Sequence, residues 1–248
     1  MQRIQAPIMN FPHPPISSFR SLSFDIEDLD RLFGELRRGQ LVFFHGSRMS
    51  HVLSELLCVR SLLPNIDGGL DSPVVFIDGG NIFDPYLISE TARLFSLNSE
   101  ETLKNIWVSR AFTAYQLTAL ITEKLPEILD REESKLVVVS DIAALYCDSD
   151  IGMLEAKTTF NQVTLFLWNL TRENNLLLVT TSLSSRGERK RRLEQYIHGR
   201  ADIAARVEAG KPHVKVSLEK HPSKPKAFVR LFVGEPIAQY LLEDFMEA

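Results

Sequence analysis

A chain of 248 residues can bury a sizeable core, and its 44% apolar and 24% charged composition is ordinary for a globular protein. No apolar run approaches the roughly 20 residues that cross a bilayer, and MQRIQAPIMNFPHPP has no apolar segment of signal-peptide type. A membrane partner is therefore not expected, and a cytoplasmic or nucleoid-associated location is. The net charge of −4 hides an asymmetry: from Arg186 to Arg230 there are 13 Lys/Arg against 5 Asp/Glu. Such a bias suits an anionic partner for the C-terminal part, and equally a solvated basic face with none.

Residues 1–18, with Pro7, Pro12, Pro14 and Pro15, show neither helical nor strand period and read as a Pro-rich arm; residues 19–248 read as one core domain. A first helix is expected over Ile26–Phe33, capped by Asp25 and closed by Gly34. Strand–helix alternation follows. QLVFF (40–44) precedes a small-residue turn and a helix burying Leu53, Leu56, Leu57 and Val59. After VVFI (74–77), Asp84-Pro85 places a cap and an N1 proline at the start of another helix. Ile106–Val108 precedes a helix over Ala114–Leu129, and LVVV (136–139) precedes an amphipathic segment over Met153–Glu173. LLLVT (176–180) is the fifth run.

Continuous apolar strands alternating with helices indicate a parallel sheet covered on both faces. Beyond residue 200, Val214–Leu218 and Ala227–Val233 flank the turn-rich HPSKP and predict an antiparallel hairpin. The fold class is α/β. Cys58 and Cys147 lie far apart in apolar surroundings, which fits reduced thiols and neither a disulfide framework nor a zinc site. His45 and His51 have no Cys or carboxylate at ligand spacing, so no metal is assigned.

Several segments carry a resemblance. LSFDIEDLDRLFGELRRGQLVFFHG, VVFIDGGNIFDPYLISETARLF, NIWVSRAFTAYQLTALI, KLVVVSDIAALY and NNLLLVTTS are similar, in order, to the core of RadA-type recombinases of the RecA superfamily. The resemblance spans about Leu22–Val233 and implies a RecA-type fold with a mostly parallel sheet. It also implies nucleotide motifs, and these are eroded. A P-loop needs G-x-x-x-x-G-K-[ST], whose backbone N–H groups wrap phosphates while Lys and Ser/Thr hold oxygens and Mg²⁺. The matching stretch here, His45-Gly46-Ser47-Arg48-Met49-Ser50-His51, has one glycine, no lysine and about two residues too few. The family's catalytic Glu falls at Gly80. Its Walker B Asp falls at Ser140, with Asp141 one position along and therefore expected on the opposite face. The resemblance thus points to a pseudo-ATPase with no cofactor, ATP and Mg²⁺ entering only if the chain is a divergent, KaiC-like ATPase. That alternative would use Arg48 together with Lys220 and Lys224 reaching a neighbour's nucleotide.

In the RadA-like arrangement the connection after the fifth strand binds DNA. Here it carries Arg186, Arg189, Lys190, Arg191, Arg192 and Arg200, with Tyr196 able to stack on bases. The side chains of Arg189, Lys190, Arg191 and Arg192 are expected to be exposed. The region resembling the first DNA loop, CDSDIGMLE (147–155), has become acidic, unlike a strand-exchange groove. Recombinases of this family polymerise through an aromatic linker, for which Phe11 and Phe19 are candidate anchors, although F-x-x-A is absent. The resemblance implies a paralogue that assists recombination or repair by binding DNA, a recombinase or a second copy. A protein scaffold without nucleic acid remains the alternative.

Overall fold

The computed structural model describes residues 21–184, 187–211 and 213–232. A two-stranded entry ribbon, β1 (Ser21–Leu22) and β2 (Leu36–Arg37), flanks α1 (Glu27–Phe33). The main sheet contains β3 (Leu41–Gly46), β4 (Val74–Asp78), β5 (Ile106–Arg110), β6 (Leu136–Ser140) and β7 (Leu177–Leu183). It continues with β8 (Ile203–Ala209), β9 (His213–Lys220) and β10 (Ala227–Phe232), in the order β10-β9-β8-β3-β7-β6-β4-β5. The strands from β8 through β5 pair in parallel, and β8-β9-β10 are antiparallel. A mostly parallel RecA-like sheet and the expected terminal hairpin are therefore both present. The apolar runs form the centre because β3, β4 and β6 are buried on both faces, as parallel sheets require.

Helices cover the two faces. α2 (Met49–Ser61) lies on one with α3 (Pro85–Leu94) and α4 (Ser99–Lys104). The other carries α5 (Ala114–Ala119), a π turn (Leu120–Lys124), α6 (Leu125–Glu132), α7 (Met153–Glu173) and α8 (Glu188–Arg200). Asp84 caps α3 as expected, its carboxylate accepting from Tyr86 and Leu87 N–H.

Four local expectations are corrected. α1 has no side-chain cap from Asp25, which sits at positive φ; Asp30 instead accepts from Phe24 N–H at 2.8 Å. α2 is buried on every side, not on one face. β8, which had no assigned strand, pairs with β3 and continues the sheet. The segment after β7, read as a loop, is a helix over Glu188–Arg200. Among the described residues no helix is long and apolar enough to cross a membrane.

Candidate functional site

The turn after β3 sits where a phosphate loop would sit, and it is closed. Gly46 has φ of 125°, and a Cβ there would lie 2.2 Å from the Val207 carbonyl of β8, so only glycine fits. Both edges of the turn are stitched down: Ser47 N–H donates to Val207 O at 2.7 Å, and Ser184 N–H donates to Gly46 O at 2.7 Å. Ser50 N–H turns back to Ser47 O, and His51 N–H to Arg48 O, as the first turn of α2. The Ser47 hydroxyl accepts from Ala209 N–H, and the Ser50 hydroxyl donates to Ser47 O. The N–H groups of Ser47, Ser50 and His51, which a wrapped loop would aim at phosphates, are thus committed within the chain.

The neighbouring positions agree. A Cβ on Gly80 would meet the Cβ of Asp141 at 2.9 Å, so the position cannot hold a glutamate without displacing the strand end. The Ser140 hydroxyl donates to the fully buried Asp78 at 2.7 Å. Asp78 also accepts from Ile82 and Phe83 N–H and pairs with Arg110 at 3.2 Å, so it organises the β4 turn. Mg·ATP held in P-loop fashion does not fit these residues: the turn offers no lysine, and the Ser50 hydroxyl and Ser140 are already engaged.

The Asp141 carboxylate is held against β7, whose Leu183 is the register partner of Gly46 in β3. It accepts from Leu183 N–H at 3.1 Å, from Ser182 at 3.4 Å and from the Lys190 ammonium at 2.7 Å. The Lys190 and Asp141 side chains are each only 8% exposed. Thr181 links this pair to α2, accepting from Asp141 N–H and sharing a 2.7 Å hydrogen bond with His51 Nδ1. Two buried titratable groups flank the turn on α2. Desolvation pushes the His51 imidazole down to about 4 and the Glu55 carboxyl up to about 8.

The basic segment divides in two. Lys190 is buried, which overturns its expected exposure: the buried Asp141 carboxylate draws the ammonium inward. Arg189 donates to the Tyr146 and Ile151 carbonyls, and Arg200 to Thr164 and Asn161, so both brace α8 against its neighbours. Arg191 and Arg192 are exposed, Arg192 pairing with Glu188 one turn back. With Glu188, Lys157 of α7, Gln195 and Tyr196, they line an open groove of about 810 Å³ between α7 and α8. Lys157 and Gln195 went unnoticed in the sequence. Lys157 sits on an ordinary amphipathic helix, and only the packing of α7 against α8 brings it to the arginines.

Lys220 and Lys224 are bonded within their own chain, Lys220 to the Gly199 carbonyl that ends α8 and Lys224 to the Arg31 carbonyl. Phe11, Phe19 and Arg186 lie outside the described residues.

The sheet order, the parallel core and a turn-then-helix after the central strand define a RecA-type α/β core. The Rad51 family profile matches residues 22–220, and the chain belongs to that family. It is 28% identical over 195 residues, 77% of this chain, to the meiotic recombination protein DMC1 of Saccharomyces cerevisiae. It is 30% identical over 144 residues, 58% of this chain, to the DNA repair protein Rad51 homolog of Drosophila melanogaster. These matches span 55% and 40% of the two relatives' own lengths.

Proposed function

We propose that this chain is a non-catalytic member of the Rad51 family that assists DNA recombination or repair, binding DNA through the exposed face of α8 alone or beside a recombinase. The observation that carries the reading is the pairing of a closed phosphate turn with an open basic groove. The first removes the wrapped N–H groups and metal ligands on which phosphoryl transfer depends. The second sets Lys157, Arg191 and Arg192 around Tyr196, a combination that neutralises phosphates and offers a ring for stacking. The names of the two relatives support the recombination and repair setting.

Two experiments test it. Oligo-dT binding at low salt should weaken steeply as salt rises, each neutralised phosphate contributing a slope near −0.7. Replacing Lys157, Arg191 and Arg192 with Ala should weaken binding evenly across sequences and flatten the slope by up to about 2 units. Folding stability should change little, because these side chains lie on the surface. Absence of binding at low salt, alone or with a recombinase, would leave the groove to a protein partner. For nucleotide, millimolar Mg·ATP should neither be hydrolysed nor shift the melting temperature. A ligand at 100 times its dissociation constant would add about 2.7 kcal/mol, so a rise of several degrees that Arg48→Ala abolishes would refute the pseudo-ATPase reading.

A further inference from the structure

α8 is fastened along its whole length. Near its start, Arg189 holds two carbonyls and Lys190 holds Asp141. Midway, Glu194 accepts from Ser182 of β7 at 2.7 Å, and Leu193 and Ile197 enter the core. At its end, Arg200 grips α7 and Lys220 takes the last carbonyls. The Lys190–Asp141 pair differs from the other fastenings in where it leads. The carboxylate is bonded to β7, and the residue's own N–H runs through Thr181 to His51, in the first turn of α2. An unbroken series of bonds therefore joins the closed phosphate turn to the basic helix, and the cation within it belongs to the chain.

We infer that Lys190 is a built-in counter-cation that fixes α8 in its presenting orientation, so the basic α7–α8 face binds polyanions equally with and without Mg·nucleotide. A face ordered by nucleotide would need a bonding position at this junction for an external phosphate or metal to fill. Here an ammonium 2.7 Å from Asp141 takes that position, and each side chain of the pair is only 8% exposed. The inference rests on the proposed role of the α7–α8 face, but the clamp can be judged apart from it.

Amide hydrogen exchange on the full chain reads the clamp, and fluorescence anisotropy with oligo-dT reads the face. Without nucleotide, residues 188–200 should already be protected, and millimolar Mg·ATP should change neither that protection nor oligo-dT affinity. Lys190→Met should lower protection of α8 by at least about tenfold more than it lowers that of β3 and β6, and should weaken oligo-dT binding although no exposed charge is lost. If that variant fails to fold, Lys190→Gln with Asp141→Asn keeps a neutral hydrogen bond and should show a smaller, α8-confined loss. An unprotected α8 that becomes ordered only with Mg·ATP would overturn the inference. So would wild-type protection in Lys190→Met or, should that variant not fold, in the neutral pair. If wild type does not bind oligo-dT, the DNA reading fails, and the clamp stands or falls on exchange alone.

Discussion

Lys190→Ala is expected to destabilise the fold by about 3–5 kcal/mol, read as a fall in the urea midpoint at unchanged slope. The cost arises because the substitution leaves the Asp141 carboxylate buried without its cation. The residual donors, Leu183 N–H and the Ser182 hydroxyl, cannot neutralise it. A double variant, Lys190→Met with Asp141→Leu, removes both charges and should recover most of the loss, since apolar replacement of a buried pair is often neutral or better. A double variant as unstable as the single would mean that packing around Lys190 matters more than its charge. The same burial bears on tests of DNA binding. Replacing Arg189, Lys190, Arg191 and Arg192 together would damage the fold, and its effect on binding could not be assigned to phosphate contacts. Arg191 and Arg192 with Lys157 are the residues that report on the surface.

The sheet was legible because its signals are local. Continuous apolar runs such as LVVV and LLLVT can be satisfied only where both faces are covered. Asp84-Pro85 and Gly34 are punctuation whose effect is confined to a turn. The helical period of Met153–Glu173 matches α7 end to end. Segment order also identified the superfamily. What the sequence hid depends on partners far along the chain. α8 reads as a charge run, and its only helical signal is Leu193 and Ile197, four residues apart. The burial of Lys190 is decided by Asp141, 49 residues earlier. Closure of the phosphate turn depends on Val207 in β8, a strand whose GRADIAARVEA context mixes charges and alanines and offers no alternation. The basic excess of the C-terminal part is likewise largely spent inside the fold. Arg206 and Lys215 pair with Glu219 and Glu208, and Lys220 and Lys224 hold carbonyls.

Stability is expected to be nearly level between about pH 4.5 and 6.5 and then to fall toward pH 8, with Glu55 responsible for the fall. Burial raises the Glu55 carboxyl from 4.5 to about 8 in the folded chain, the Asp84 N–H that it accepts offsetting only part of the cost. Its contribution is therefore complete below the unfolded value and is lost as pH rises from about 4.5 to about 8, at close to 1.4 kcal/mol per unit. His51 acts in the opposite sense. Burial lowers it from 6.5 to about 4, so its contribution is complete above 6.5 and is lost as pH falls toward 4. Asp141 and Asp78 favour its charged form, while Lys190 and Arg48 oppose it. Between 4.5 and 6.5 the two slopes are similar in size and opposite in sign, and above 6.5 Glu55 alone of the two still titrates. Glu55→Gln keeps an oxygen for Asp84 N–H but cannot ionise. It should be more stable than wild type at pH 8 by on the order of 2–4 kcal/mol, and its stability should no longer fall above pH 6.5. At pH 5, where the wild-type carboxyl is mostly protonated in the folded state, the two proteins should differ far less. Urea midpoints at four pH values measure all of this. An unchanged alkaline decline in Glu55→Gln would assign the decline to another group and leave Glu55 ionised in the fold.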